Sequence, residues 1–326
     1  MRVLVTGVTG FTGGHLARTL AQRGYHVRGL VRQTSQARDV EASGIEPAIG
    51  ALEDRAALAR AVKDVEIVYH IAAVYRHAGI PKATYRAVNA TAVGDVIDAA
   101  AAAGVRRVVH CSTVGVHGDI EQPPANKEAP LRPGDIYQVT KVEGERIARD
   151  AAARTGLPVT IARPSGIYCP GDRRLLKLFR GIARRRFVVL GSGDIFYHLT
   201  YIDDLVEGFR LCGEAPSAAN RTYILAGSEV TSLNQLMALI AAEAGVAPPA
   251  LKLPVWPFWL AGAACEAICV PLGVEPPIYR RRVDFFTKSR AFDISRARAE
   301  IGYDPQVGLR DGIRKTLTWY KEHGWL

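Results

Sequence analysis

The chain has 326 residues, enough for one large or two modest domains with a well-formed core. Its 48% hydrophobic and 23% charged content is that of a folded globular protein and excludes a disordered or fibrous chain. The net charge of +10 is clustered at Arg173, Arg174, Lys177, Arg180 and residues 184–186, and again at 280–282, Lys288 and Arg290. Such clusters suit a solvated face, an anionic small molecule or an acidic lipid surface; nucleic acid is not expected, because no recognition helix, zinc module or aromatic RNA platform accompanies them.

An apolar run at residues 3–6 leads into Thr6-Gly-Val-Thr-Gly-Phe-Thr-Gly-Gly14, and a helical stretch follows over 14–22. Gly7, Gly10 and Gly13 therefore fall at a strand-to-helix turn, with Phe11 and Thr12 between them. A turn of this kind lets backbone N–H groups approach a pyrophosphate at the positive end of a helix dipole. Further strands are predicted at 26–31, 46–49, 66–70, 107–111 and 159–163, and helices at 35–42, 55–62, 83–103 and 137–154. Gly24, Gly104 and Gly156 follow last helical turns as stops. Strand–helix alternation predicts an α/β fold, a doubly wound parallel sheet of the Rossmann type.

After Arg163 the rhythm changes. Short strands at 187–190, 198–201 and 222–225 mix with helices at 203–212 and 232–244. The expected organisation is a dinucleotide-binding domain over 1–165, with returning segments near 197–226. Residues 166–326 then form, mostly, a smaller interleaved α+β lobe that binds substrate over the carboxyl ends of the strands. The segment 253–272 is apolar except for Glu266, carries Trp256, Phe258 and Trp259, and is interrupted by Pro254, Pro257 and Pro271. It reads as a buried helix of that lobe or as an interfacial helix or lid; a transmembrane span is not expected, since the prolines and the lone carboxylate oppose it. A strand beginning at Arg2 leaves no expected leader ahead of it. The five cysteines have neither zinc spacing nor a C-x-x-C and are read as reduced thiols of a cytoplasmic protein that needs no metal.

The chemistry centres on Tyr137-Gln-Val-Thr-Lys141. Four residues apart on a helix, Tyr137 and Lys141 share one face. A tyrosine ionises near ~10, and a neighbouring ammonium together with an oxidised nicotinamide favours its phenolate. Tyr137 can then exchange a proton with an alcohol or ketone while hydride moves to or from the cofactor. Ser112 and Thr113 close the strand at 107–111, where a hydroxyl can hold the substrate oxygen beside Tyr137. The spacing to Val116-His-Gly118 favours Thr113.

These motifs, with Ala162-Arg-Pro-Ser-Gly-Ile-Tyr168, resemble the extended short-chain dehydrogenase/reductase superfamily over nearly the whole chain. Residues 286–297 and Gly302-Tyr-Asp-Pro305 are similar to its 3β-hydroxysteroid and sterol-4-carboxylate dehydrogenase branch, beside the dihydroflavonol reductases. The resemblance implies joint action of Thr113, Tyr137 and Lys141, and nicotinamide held by backbone near residues 164–166. It also implies a homodimer through the helices at 83–103 and 137–154. The candidate cofactor contacts are Gly7, Gly10, Phe11, Thr12, Gly13, Arg32, Ser35, Leu52, Ala72, Lys141, Pro164 and Gly166. The candidate substrate contacts are Tyr75, Thr113, Tyr137 and Ser165.

The second predicted strand ends in Val31-Arg32 where NAD-preferring enzymes place an acid for the ribose hydroxyls. An arginine suits a 2′-phosphate, so NADP is expected, with NAD as the alternative. Two departures bear on the site. The superfamily's aspartate after the third strand is absent, Gly50 being followed by Ala51. Gly166 stands where nucleotide-sugar epimerases carry Asn. The expected substrate is a bulky apolar alcohol or ketone, sterol- or terpenoid-like at its 3-position, with decarboxylation where a 4-carboxylate is present. The rivals are a nucleotide-sugar 4-epimerase or reductase, with arginines such as Arg282 on the diphosphate, and a non-catalytic dinucleotide-binding regulator.

Overall fold

A computed structural model describes residues 1–75, 79–269, 271–272 and 280–326, with the side chains at 281 and 282 outside the description. The chain opens with β1 (Arg2–Thr6), α1 (Phe11–Gln22), β2 (His26–Val31), α2 (Thr34–Glu41), β3 (Glu46–Ile49), α3 (Arg55–Ala61) and β4 (Ile67–His70). Then come α4 (Lys82–Arg86), a π-helical turn (Ala87–Thr91), α5 (Ala92–Ala102), β5 (Arg107–Cys111), α6 (Ile136–Thr155) and β6 (Val159–Pro164). The predicted single helix over 83–103 is thus broken, because five residues widen into i→i+5 bonding.

These strands form one parallel sheet in the order β3, β2, β1, β4, β5, β6. The chain winds outward from β1 to β3, then returns past β1 to β4 and winds the other way. The reversal falls between β1 and β4, and the crevice at their carboxyl ends is where open α/β sheets bind ligands. Alternation along each strand buries both faces. Val3 and Val5 pack with Leu16 and Leu20 of α1, whereas Leu4 packs with Leu58 of α3 and Val96 of α5.

The second half adds β7 (Gly166–Tyr168), α7 (Leu176–Ala183), β8 (Val189–Leu190), β9 (Phe196–Tyr201), α8 (Ile202–Glu214) and β10 (Thr222–Leu225). It finishes with β11 (Val230–Ser232), α9 (Leu233–Ala244), β12 (Lys252–Leu253), α10 (Val255–Cys269), α11 (Arg280–Thr287), α12 (Ser295–Ile301) and α13 (Leu309–Glu322). β10 returns to the large sheet as its seventh strand, parallel to β6, while β11, β9 and β7 make a separate three-stranded sheet. Only Val189–Leu190 of the predicted strand at 187–190 is paired, with β12. One cluster of buried side chains runs from Val3 and Val5 through Phe209 of α8 to Leu236 of α9 and Leu317 of α13, so the two halves share a core.

Helix α10 corrects one expectation. Read as a buried helix of the lobe, it leaves Trp256, Trp259, Leu260 and Ile268 exposed, and Gly262 is its one buried residue. Its apolar residues ring the helix on every side, so no periodic stripe marks an inner face. Position 270 of the segment lies outside the described residues.

Candidate active site

Three glycines shape the turn after β1. Gly7 has φ +75, and a Cβ there would stand 2.8 Å from the backbone of Ala72 across the switch point. A Cβ on Gly13 would lie 2.2 Å from the Gly7 carbonyl oxygen. The Gly10 amide donates to Gly7 O at 2.9 Å, and Gly10 then caps α1 without any side-chain acceptor. A tight loop free of Cβ atoms, running into an uncapped helix at the sheet's carboxyl edge, fits a dinucleotide pyrophosphate. Arg174, read in the sequence only as part of a basic cluster, sits 4.6 Å over the Phe11 ring at this turn and pairs with Asp172.

Arg32 and Ser35 are exposed at the end of β2 and the start of α2, and Arg32 makes no ion pair with another described residue. Leu52 is buried after β3. Gly50 there is forced by packing, since a Cβ would come within 2.2 Å of the Ala57 Cβ. The Ala72 amide donates to Thr6 Oγ1 at 3.2 Å. Pro164 ends β6 and Gly166 starts β7; between them the Ser165 hydroxyl is buried without a hydrogen-bond partner among the described residues. A buried orphan hydroxyl costs about 1–3 kcal/mol, so this one is a candidate contact for a bound molecule.

The reactive pair lies on α6. Asp135 caps the helix by accepting from the Gln138 amide at 2.8 Å, and Gly156 (φ +74) ends it. Tyr137 and Lys141 both sit on its buried face, and the Tyr75 ring stands 5.0 Å from that of Tyr137, edge-on. Lys141 is 1% exposed and its ammonium donates to the backbone carbonyl of Cys111. Burial pulls its pKa below the ordinary value, opposed by the Glu145 carboxylate.

The adjoining hydroxyls are engaged differently. Ser112 is buried and donates to Glu145 at 2.6 Å. Thr113 accepts from the Gly115 amide at 3.0 Å, and its own hydroxyl hydrogen is committed to no described residue. Of the two, Thr113 is the one able to donate to a substrate oxygen.

The sequence reading passed over the supports beneath the site. Glu145, fully buried, accepts from Ser112, from both Arg163 Nε and Nη2 (2.8 and 2.7 Å), and from Arg149 (2.9 Å). Burial alone would raise its pKa, but the arginines and Ser112 outweigh it and hold the carboxyl below its ordinary value. Arg163 also donates to His117 Nε2, whose Nδ1 donates to Ala129 O. In the π turn, Asn89 accepts from the Val74 amide at 2.8 Å and donates to Val74 O and Thr140 Oγ1, joining the post-β4 loop to α6. His70 and His110 lie side by side on β4 and β5, their rings 5.5 Å apart. One signal was present in the sequence. Glu145 follows Tyr137 and Lys141 at the same four-residue step, so a carboxylate falls on the helix face that turns inward.

Part of each basic cluster is engaged by the protein itself. Arg173 lies over the Trp325 ring, Arg180 donates to Trp325 O, and Arg290 reaches the carbonyls of Asp284 and Lys288. Arg280 pairs with Glu266 of α10 at 2.7 Å. The Arg282 side chain lies outside the described residues.

A glycine turn at the switch point of a parallel sheet, with a buried Tyr/Lys pair facing the same crevice, defines an extended short-chain dehydrogenase/reductase, an oxidoreductase acting on a CH–OH group. The chain belongs to the NAD dependent epimerase/dehydratase family, whose profile matches residues 3–226. It is 31% identical to sterol demethylase protein B of Methylococcus capsulatus over 99% of each chain. It is also 28% identical to 3beta-hydroxysteroid-dehydrogenase/decarboxylase isoform 1 of Arabidopsis thaliana, over 96% of this chain and 78% of that one. The solved structure of gox2253 superposes with a TM-score of 0.83 at 30% identity, over 99% of each chain.

Proposed function

We propose that the protein is an NADP-dependent dehydrogenase that oxidises, or in reverse forms, a secondary alcohol on a bulky apolar molecule, a sterol- or terpenoid-like 3-hydroxy or 3-keto compound. The observation that carries this reading is the end-to-end likeness to sterol demethylase protein B in a chain that buries Tyr137 and Lys141 on α6 and leaves a Thr113 hydroxyl hydrogen uncommitted after β5. Residues 1–165, with returning segments near 197–226, hold the dinucleotide; most of 166–326 holds the substrate.

Gly7, Gly10, Phe11, Thr12 and Gly13 cradle the pyrophosphate, Arg32 and Ser35 receive the 2′-phosphate, Leu52 packs at the adenine, and Ala72, Pro164 and Gly166 line the nicotinamide end. The bound dinucleotide supplies hydride acceptance or donation. Thr113 donates to the substrate oxygen and fixes it beside Tyr137, with Tyr75 and Ser165 lining the substrate's seat. Tyr137 takes the hydroxyl proton during oxidation, and the Lys141 ammonium, fixed by the Cys111 carbonyl, stabilises the phenolate that accepts it. Where the substrate carries a 4-carboxylate, the new 3-ketone makes it a β-keto acid. Its carboxylate departs as carbon dioxide, the bonding electrons pass to the ketone oxygen held by Thr113 and Tyr137, and water returns the proton to carbon.

The exposed aromatic face of α10 belongs to the same reading. Trp256 is 65% exposed and Trp259 47%, and the one carboxylate of the helix is neutralised by Arg280. Such a face rests on a lipid surface where an apolar substrate is dissolved. No helix among the described residues is long and apolar enough to cross a membrane. We place the enzyme in the cytoplasm, against that surface, as a homodimer joined through the helical stretches at 83–103 and 137–154.

The test incubates the purified protein and NADP with a panel of 3β-hydroxysteroids, including 4-carboxy sterols, and follows reduced-nicotinamide absorbance and released carbon dioxide. Turnover that Tyr137→Phe lowers by about 10²–10⁴-fold is expected. Silence across the panel, with cofactor retained through purification and interconversion of a sugar nucleotide, would replace this reading with the epimerase.

A further inference from the structure

A second cleft opens away from the glycine turn and Tyr137. It lies among β6, the start of β10, α12 and the second half of α6, and encloses about 250 Å³. Five of its lining side chains are cationic: Lys127, Arg149, Arg163, Arg221 and Arg296. Three carboxylates answer them. Glu145 holds Arg149 and Arg163, Glu128 holds Lys127 and Arg296, and Glu300 holds Arg296. The cleft therefore carries excess positive charge, and Arg221, exposed at its rim, makes no close salt bridge with another described residue, though its charge reaches Glu300.

Arg149, Arg221 and Thr222 also border an adjoining hollow of about 230 Å³. Its floor is apolar, formed by Ala152, Val159 and Ile161, the last two buried side chains of β6. Crowded guanidinium groups favour an oxyanion through charge-assisted, bidentate hydrogen bonds. A buried hydrocarbon floor beside them favours an apolar group joined to that oxyanion.

We propose that this cleft is a binding site for an oxyanion, phosphate or carboxylate, borne on a small apolar body. Arg163, 3% exposed and fixed by Glu145 and His117, is its preformed wall. Arg149 and Arg221 are the arms that close on the ligand.

The test is calorimetric titration of the protein, saturated with NADP, with inorganic phosphate and separately with phenyl phosphate. Phenyl phosphate binds saturably at one site and about tenfold or more tighter than phosphate, because only it covers the apolar floor. Arg221→Gln, a change at an exposed position checked by an unaltered unfolding midpoint, weakens both by about tenfold or more. Both probes bind while NADP fills the proposed cofactor phosphate seat, which separates this site from that one. The absence of saturable heat, or an Arg221→Gln protein that binds both as the parent does, overturns the site. Equal affinity for the two probes overturns the apolar half of the proposal.

Discussion

Ser112 and Thr113 offer the same hydroxyl chemistry from neighbouring positions, yet the fold gives them different work. Ser112 donates into the buried Glu145–Arg163 pair, whereas the Thr113 hydroxyl accepts from the Gly115 amide and commits its hydrogen to no described residue. Ser112→Ala is expected to lower unfolding free energy by about 1–3 kcal/mol and to leave the turnover number near that of the parent. Thr113→Val is expected to lower kcat/KM by about 10²–10³-fold, beyond the loss of about 0.5–2 kcal/mol in stability that follows from leaving the Gly115 amide uncapped. Urea unfolding and steady-state rates on the two variants decide the assignment, and matching losses of rate in both would remove it. At the other end of the crevice, Arg32→Asp should turn cofactor preference from NADP to NAD, read as the ratio of kcat/KM values. A ratio that stays put would show that Arg32 does not meet the 2′-phosphate.

At the scale of elements, α6 bears both Tyr137 and Lys141, and its contact with the π turn sets where it lies. A Cβ on Gly144 would stand 2.3 Å from the Asn89 carbonyl oxygen, a backbone atom with nowhere to retreat. Gly144→Ala therefore has to lift α6 from the turn. We expect a loss of about 1–3 kcal/mol in stability and a fall in kcat larger than any change in KM for NADP, since Tyr137 and Lys141 move while the glycine loop does not. The glycine turn, the six strands from β1 to β6 and the Tyr/Lys spacing were legible in the sequence because each is a local pattern of four to nine residues. The π turn was not, because Ala87–Thr91 is composed like the helix around it and widens only where Asn89 reaches Val74 and Thr140. Nor was the Ser112–Glu145–Arg163 cluster, whose members lie on β5's end, α6 and β6 and meet only when the sheet forms. The exposure of α10 was hidden for the opposite reason: an all-apolar helix records no preferred face.

Across the whole molecule, buried imidazoles set the response to acid. His70 and His110 are almost wholly buried, and burial, reinforced by the Lys141 charge, holds His70 at about 3 and His110 well below its ordinary value of 6.5. His117 and His198 are lowered for the same first reason. Below pH 6.5 the unfolded chain takes up protons that the folded one refuses. Stability thus falls as pH falls, by about 1.4 kcal/mol per pH unit for each such histidine. For His70 that loss continues down to about pH 3. Glu145 adds its own loss only below its ordinary value of 4.5. The urea midpoint should accordingly begin to drop near pH 6.5, ahead of the carboxylate range, and His110→Leu should flatten the slope between pH 6.5 and 5. A midpoint level down to pH 5 would contradict this account. The same architecture also bears on how the chain is made. β6 gains its outer neighbour β10 only after β7, α7, β8, β9 and α8 have been synthesised, and α8 is the helix that covers β4, β5 and β6 on one face. A nascent chain that has emerged only as far as β6 carries an unpaired strand edge and a bare apolar sheet face. Until β10 closes the sheet, such a chain is prone to aggregate.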